Sequence, residues 1–139
     1  MRNQTRGFTI LELLVVAVII GLLAAITLTF VANAHERSRD GKRLKETREI
    51  RSALELYNTN KDYYPKPDEP GEELTVIIDR EDYVSEDLTS EGYFSIMPID
   101  PLQRDRHVYT YTTDADGGSF TLEFCLEREE VCREIKSDQ

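Results

Sequence analysis

The sequence predicts an α+β fold in which a long N-terminal α-helix packs against a small antiparallel β-sheet. Three observations support this. Residues 8–32 are almost wholly apolar, residues 33–61 repeat apolar side chains at helical spacing, and residues 62–139 contain short runs that alternate in hydropathy. A chain of 139 residues fits one modest globular head and is too short for two ordinary cores.

Residues 8–32 form the first predicted helix. It would be about 37 Å long, enough to cross a hydrocarbon core of about 30 Å with some tilt. A secretory signal peptide is the alternative, because Ala32-Asn33-Ala34 has the A-x-A form of a cleavage site. The apolar stretch is about twice as long as such a signal and contains a carboxylate near its start, so we favour a transmembrane helix.

That carboxylate belongs to Glu12, and an acidic side chain in a membrane segment costs a few kcal/mol (about 3) even on mild insertion scales. It could reach the headgroups or be protonated. It could also neutralise a positive charge on a neighbouring subunit. Its place one turn into the helix is favourable for a negative charge, because the helix dipole is positive there.

Residues 33–61 form the second predicted helix, and no proline separates it from the first. Its apolar stripe indicates an amphipathic helix whose charged side chains face solvent or neighbouring subunits. Asn58 to Asn60 and the prolines after Tyr64 predict its end. The stripe consists of Leu44, Thr47, Ile50, Ala53, Leu54 and Tyr57.

The charge is distributed unevenly. Residues 34–61 carry eight Lys and Arg against five Asp and Glu, whereas residues 62–139 carry seven against twenty-one. The head is therefore strongly acidic, and such a surface repels bare nucleic acid and anionic lipid. We expect no nucleic-acid binding there.

The head is predicted to hold three or four antiparallel strands. Residues 107–113 alternate in polarity, residues 119–126 do likewise, and the turn-forming Asp114-Ala115-Asp116-Gly117-Gly118 between them predicts a hairpin. Residues 131–135 form a further strand. The β-branched run at 74–78 and the segment 85–88 are left without an assignment.

Cys125 and Cys132 are the only cysteines, and their spacing fits no zinc or redox motif. If they lie on the two arms of a hairpin around residues 127–130, their sulfurs would face each other. A disulfide, and with it an oxidising compartment, is the favoured interpretation. Two free buried thiols are the alternative.

The segment Arg6-Gly7-Phe8-Thr9-Ile10-Leu11-Glu12-Leu13-Leu14-Val15-Val16 resembles the N-terminal signal of type IV prepilins and type II secretion pseudopilins. The resemblance implies a leader peptide at residues 1–7, cleaved by prepilin peptidase between Gly7 and Phe8. It implies N-methylation of the new amine at Phe8. Glu12 would be the assembly residue, pairing with the N-terminal amine of an adjacent subunit.

The resemblance also implies a pilin-like fold, function and set of partners. The chain would be a structural subunit of a type IV pilus-like filament, with a type II secretion pseudopilin as the alternative. Its partners would be copies of itself, other pilins, prepilin peptidase, a membrane assembly platform and, before assembly, the lipid bilayer. It would cross the cytoplasmic membrane once, with the head outside, and then enter an extracellular or periplasmic filament.

Two features depart from this resemblance. Many major pilins have a proline partway along the membrane helix, whereas this chain has Thr27 and Thr29 there, which favours a pseudopilin or a non-classical pilin. The basic residues after the span, from Arg37 to Arg51, outnumber those of the leader, and the positive-inside rule alone would place the head in the cytoplasm. The cysteine pair and the prepilin motif favour the opposite orientation. A monomeric membrane-anchored binding protein or adhesin is an alternative of another class.

The sequence contains few candidates for catalytic or metal-binding residues. It has no P-loop, no G-x-S-x-G and no H-E-x-x-H motif, and His35 and His107 stand alone, so we expect no enzyme and no obligatory cofactor. Four aspartates near loops are weak candidates for a calcium site, although they lack EF-hand spacing and suit turns equally well. These are Asp100, Asp105, Asp114 and Asp116.

Overall fold

The computed structural model describes residues 8–68, 74–129 and 131–137. The chain divides into two compact units, Met1–Arg37 and Ser38–Gln139, and each is described by itself. The α+β architecture expected from the sequence is confirmed. In chain order the described elements are α1 (Ile10–Lys61), β1 (Thr75–Ile77), α2 (Tyr83–Ser90), β2 (Thr110–Thr113), β3 (Phe120–Cys125) and β4 (Cys132–Lys136).

Helix α1 ends at Lys61, one residue beyond the asparagines that predict its end. Asp62 adopts a left-handed conformation with φ of 66°. Its backbone N–H donates to the carbonyl of Asn58 at 2.8 Å. A left-handed residue directly after a helix is a common way to satisfy the last carbonyls. The chain then leaves the helix through the tyrosine-proline segment that follows.

The sheet is antiparallel throughout, in the order β1-β2-β3-β4. Strands β2 and β3 form the predicted hairpin, with Tyr111 opposite Leu122. Strand β1 occupies the run at 74–78 that the sequence left open, and it pairs Val76 with Tyr111. Strand β2 is shorter than predicted, because His107 forms only an isolated bridge with Arg104 before it begins.

The core of the head joins α1 to one face of the sheet. The buried face of α1 is the predicted stripe: Ile50, Leu54 and Tyr57 are each at most 4% exposed. They belong to one cluster with buried side chains of the two central strands. The strands contribute Tyr111, Phe120, Leu122 and Phe124 to that cluster. Burial of this apolar surface is what holds sheet and helix together.

Helix α2 covers the segment at 85–88, which has no assignment from the sequence alone. Asp82 is its N-cap, and the carboxylate accepts a hydrogen bond from the backbone N–H of Ser85 at 2.9 Å. Val84 and Leu88 are fully buried in the core cluster. An aspartate cap before two apolar residues at i and i+4 is a helix signal, but its eight residues are too few for a clear period.

A close backbone contact fixes the segment after α1 against the β2–β3 turn. The N–H of Tyr64 donates to the carbonyl of Gly117 at 2.8 Å. Gly117 has φ of +72°, and a Cβ on it would lie 2.8 Å from the carbonyl oxygen of Tyr64. Only glycine fits there, because the conformation disfavours a side chain and the neighbouring backbone fills the space.

Candidate functional site

The first turn of α1 is closed by a reciprocal capping box. The Thr9 hydroxyl accepts a hydrogen bond from the backbone N–H of Glu12 at 3.2 Å. In return, Glu12 Oε2 accepts from the backbone N–H and the hydroxyl of Thr9, at 3.0 and 2.9 Å. Two N–H groups that a helix start leaves unpaired are thereby satisfied. Glu12 is thus oriented by its own helix, with Oε2 occupied.

The other predicted processing residues lie at the same end. Phe8 precedes the capping box and is 79% exposed. Gly7 and the rest of the predicted leader lie outside the described residues. Cleavage, methylation and assembly at these positions therefore stay predictions.

The apolar part of α1 is exposed among the described residues of its own unit. The window Ile10–Thr27 has a mean hydropathy of 2.8 and none of it is buried. By length and composition it is able to cross a membrane. Exposed apolar surface of this extent requires lipid or other protein to cover it.

One polar side chain near the end of this window is satisfied internally. The Thr27 hydroxyl donates to the carbonyl oxygens of Leu23 at 2.6 Å and Ala24 at 3.2 Å. Such back-bonding to the preceding turn is a common arrangement for threonine in apolar helices. It also permits a mild bend without a proline.

In the head, a buried ion cluster is centred on Arg43. Its guanidinium holds Asp100 at two points, with Nε to Oδ2 at 2.6 Å and Nη2 to Oδ1 at 2.9 Å. The side chains of both residues are 0% exposed. Nη1 also contacts Asp40 Oδ1 at 2.8 Å and Glu127 Oε1 at 2.6 Å. The cluster therefore joins α1 to the segment before β2 and to the β3–β4 loop.

Two carboxylates of this cluster, Glu127 and Asp40, are held in the charged form. Hydrogen bonds from Arg39 and then Arg43 lower the pKa of Glu127 to about 2, against an opposing effect of burial. For Asp40, partial burial works against ionisation, but donation from the backbone N–H groups of Glu127 and Arg128 and from Arg43 lowers the pKa. For Arg43, the same carboxylates outweigh burial and raise the pKa. Glu127, Asp40 and Arg43 therefore stay charged at neutral pH.

This cluster is not among the sites predicted from the sequence. The charged residues of α1 are expected from the sequence to face solvent or other subunits, whereas Asp40 and Arg43 are buried. The available signal is their spacing: 40, 43, 47, 50, 54 and 57 continue the apolar stripe at three- and four-residue steps. Charged residues on a core stripe indicate a buried pair, because burial without a partner would be too costly.

The four aspartates proposed for calcium occupy different settings. Asp100 belongs to the ion cluster, with both oxygens held by Arg43. Asp114 organises the β2–β3 turn, and donation from the backbone N–H of Gly118 lowers its pKa. Asp105 and Asp116 are exposed. Calcium binding by these residues stays a prediction.

The two cysteines lie opposite each other in the β3–β4 register and form a disulfide. Among the described residues, one trio of potential ligands has atoms within 4.8 Å of one another, namely Glu123, Cys125 and Cys132. Disulfide sulfurs are poor metal ligands, since coordination requires the thiolate. The pair is therefore structural, and it closes the loop that carries Glu127.

Comparisons with known proteins find matches for the N-terminal segment and for most of the chain. Residues 2–28 match the family described as the prokaryotic N-terminal methylation motif. Type II secretion system core protein G of Vibrio cholerae serotype O1 is 31% identical over 125 residues, 88% of this chain and 82% of that protein. The protein of that name from Escherichia coli K12 is 28% identical over 120 residues, 86% of this chain and 80% of its own length.

A shorter match has a different description. Type IV major fimbrial protein FimA of Dichelobacter nodosus is 40% identical over 55 residues, which is 40% of this chain and 35% of that protein. No solved structure matches the chain significantly.

Proposed function

The chain belongs to the family of type II secretion system core protein G, and from this premise we propose that its filament is the pseudopilus of a type II secretion system. It is a pilin-like filament subunit, as its relatives are. One observation carries the proposal: similarity to core protein G extends over 88% of this chain and so includes the head as well as the N-terminal helix.

Maturation is the first proposed step. Prepilin peptidase removes residues 1–7 by cutting between Gly7 and Phe8, and the new amine of Phe8 is methylated. The match of residues 2–28 to the N-terminal methylation motif supports this assignment. Before cleavage Phe8 has an amide and no free amine, so the uncut chain enters the membrane but does not polymerise.

Assembly is the second proposed step, and Glu12 has its role there. Its Oε2 is held by Thr9, while no hydrogen bond or ion pair among the described residues engages Oε1. We assign Oε1 to the N-terminal amine of an adjacent subunit. Opposite charges about 4 Å apart attract by about 4 kcal/mol at an effective dielectric near 20, and desolvation offsets much of this. The pair therefore sets the register of subunits more than their adhesion.

The proposed topology places the head outside the cytoplasmic membrane. Helix α1 crosses the bilayer once through Ile10–Thr27, a window long and apolar enough for one span. The disulfide in the head supports an oxidising compartment. A membrane assembly platform then moves subunits from the bilayer into a periplasmic filament.

A type IV pilus is the second candidate, favoured by the fimbrial match of 40% identity over 55 residues. That match covers only 40% of this chain, whereas the secretion relatives cover twice as much. The two are distinguished in cells by what deletion of the chain abolishes. A pseudopilin is required for protein secretion, and a pilin for surface fibres.

The test of maturation is mass spectrometry of the full chain purified from cells that contain the peptidase. We expect a mature chain beginning with N-methylated Phe8. Gly7→Val should leave Met1 in place, because the cleavage site is lost. An intact leader on the wild-type chain in those cells would contradict the proposal.

The test of assembly is Glu12→Val in the full chain, with Ile10→Val as the matched control on the same helix turn. We expect Glu12→Val to be cleaved and to remain in the membrane fraction, but to give no sedimentable filaments and no secretion. The control should behave as wild type. A monomeric anchored binding protein predicts undiminished function for Glu12→Val, so that result would favour the alternative class.

A further inference from the structure

An open apolar groove lies on the outer face of the head half of α1. The helix contributes Ser52, Ala53 and the side chain of Leu56, which is 55% exposed. The segment after α2 contributes Tyr93 and Phe94. The groove has a volume of about 430 Å³ and is lined mainly by apolar atoms. A half-exposed leucine beside two aromatic rings leaves room for one further apolar side chain.

The groove has a basic end. Arg48 and Glu49 line it one helical turn before Ser52. Glu49 is neutralised by Lys45, with 3.4 Å between Oε1 and Nζ. None of the ion pairs among the described residues includes Arg48. The groove therefore combines an apolar floor with one uncompensated positive charge.

A second surface of the head is acidic instead of basic. At the end of the edge strand β1, Ile77 is 49% exposed. It lines an open cleft together with Asp79 and Glu81, which are both exposed. The ion pairs of the described residues include neither of these acids. We call Ile77, Asp79 and Glu81 the acidic β1 edge.

The two surfaces share no residue, and they complement each other in charge. A helical filament is built from heterologous contacts, in which one surface of a subunit meets a different surface of the next. We propose that the α1 groove of one copy receives Ile77 of the next copy, with Asp79 and Glu81 facing Arg48. This inference rests on the polymerisation proposed above and names the contact between heads.

Other exposed apolar side chains fit the groove less well. Ile96 is 68% exposed, but its neighbours Ser95 and Met97 carry no charge that would meet Arg48. Val131 is 50% exposed, and the nearby Glu129 is already paired with Arg133 at 2.7 Å. Charge complementarity therefore selects Ile77. Matched charges at the rim favour the correct register and disfavour the wrong one.

The first experiment is thiol cross-linking in filaments. The full chain carrying Leu56→Cys and Ile77→Cys is expressed with its own assembly machinery and treated with a short bismaleimide, which reacts only with free thiols and leaves the native disulfide intact. We expect a ladder of multimers, because each copy presents both halves of the contact. Each single variant should stay monomeric, and Leu56→Cys combined with Val131→Cys is the matched control.

The outcomes are distinguishable. If the wild-type chain forms filaments but the Leu56→Cys and Ile77→Cys chain gives no ladder, the proposed contact is wrong and the proposed function stands. The same conclusion follows if Leu56→Cys alone gives dimers. Absence of filaments from the wild-type chain would overturn both.

The second experiment is charge exchange. We expect Arg48→Glu to lower filament yield several-fold, because like charges then face each other across the contact. Adding Glu81→Arg to the same chain should restore most of that yield. Lys136→Glu on β4, which lines neither surface and is 66% exposed, controls for net charge. No recovery in the double variant, with a head that unfolds as wild type does, would overturn the proposal.

Discussion

Arg43 and Asp100 lie 57 positions apart in the sequence, yet they form a two-point ion pair with neither side chain exposed. The pair fastens the segment before β2 to α1. A buried pair of this kind contributes little compared with well-packed apolar residues, but losing one partner leaves an uncompensated buried charge. The pair therefore fixes the position of the segment before β2 more than it adds to the free energy of unfolding.

Arg43→Ala should destabilise the head strongly. Removal of one partner from a buried ion pair typically costs about 3–5 kcal/mol, since Asp100 is then buried without a countercharge. Denaturant unfolding of the full chain in detergent, followed by tyrosine fluorescence, measures the change. Lys45→Ala is the control, because the Lys45 side chain is 75% exposed and its pair with Glu49 is worth well under about 1 kcal/mol.

A double replacement tests whether the uncompensated charge of Asp100 causes that loss of stability. Arg43→Met combined with Asp100→Leu removes both charges, so it should destabilise the head less than Arg43→Ala alone. A larger loss for the double variant would contradict the role of an uncompensated charge.

Acid should weaken the head through Glu127. Its pKa is about 2 in the folded protein and 4.5 ordinarily, because Arg39 and Arg43 donate to its carboxylate. A carboxyl group whose pKa is lowered by folding stabilises the folded protein at pH values above the pKa that the group has in the unfolded chain. That contribution should decline as the pH falls below about 4.5 and be lost as the pH falls through about 2. Unfolding free energy measured against pH checks this.

Glu127→Gln is the matched variant for the acid experiment. It should be less stable than wild type at neutral pH, and its stability should fall less between pH 4.5 and pH 2. Parallel pH profiles for the two proteins would contradict the assignment. Asp40, whose pKa is also lowered, would account for the part of the acid effect that the variant retains.

Gly117→Ala should destabilise the β2–β3 turn. The added Cβ would lie 2.8 Å from the carbonyl oxygen of Tyr64, and the φ of +72° disfavours any side chain. Strain of this kind costs about 1–3 kcal/mol. A fall in melting temperature measures it. Gly118→Ala is the control, since its Cβ would meet only the Asp114 carboxylate at 3.4 Å.

Replacement of both cysteines by serine should loosen the loop that carries Glu127. The disulfide spans a separation of 7 residues, and loop-closure entropy for so short a loop amounts to about 2–3 kcal/mol. Hydrogen exchange of β4 and of the β3–β4 loop should rise more than that of β2. Equal exchange in the oxidised and serine forms would contradict a structural role for the bond.

Much of the fold follows from local sequence signals. The stripe through Ile50, Leu54 and Tyr57 predicts the buried face of α1 because its period is helical. The turn from Asp114 to Gly118 predicts the β2–β3 hairpin because aspartate and glycine satisfy its backbone. In both cases neighbours along the chain carry the information.

Long-range partners could not be predicted in the same way. Asp100 looked like a loop ligand because nothing near it in sequence reveals Arg43, 57 residues earlier. The loop residue Glu127 lies 84 positions from Arg43, and its role depends on how the β3–β4 hairpin meets α1. Strand β1 has three residues, too few for alternation to be recognised.

The hydrogen bonds of the Thr27 hydroxyl within its own helix affect the transfer of that helix from lipid to packed protein. Because its acceptors belong to the same helix, the hydroxyl needs no hydrogen-bond partner from lipid or from a neighbouring protein. Between Ile10 and Thr27 the only other polar side chain is Glu12. In the proposed assembly, the rest of this window passes from one apolar environment to another when a subunit leaves the bilayer. Within this window, we therefore expect the free-energy difference between correct and incorrect docking to come from the Glu12 carboxylate.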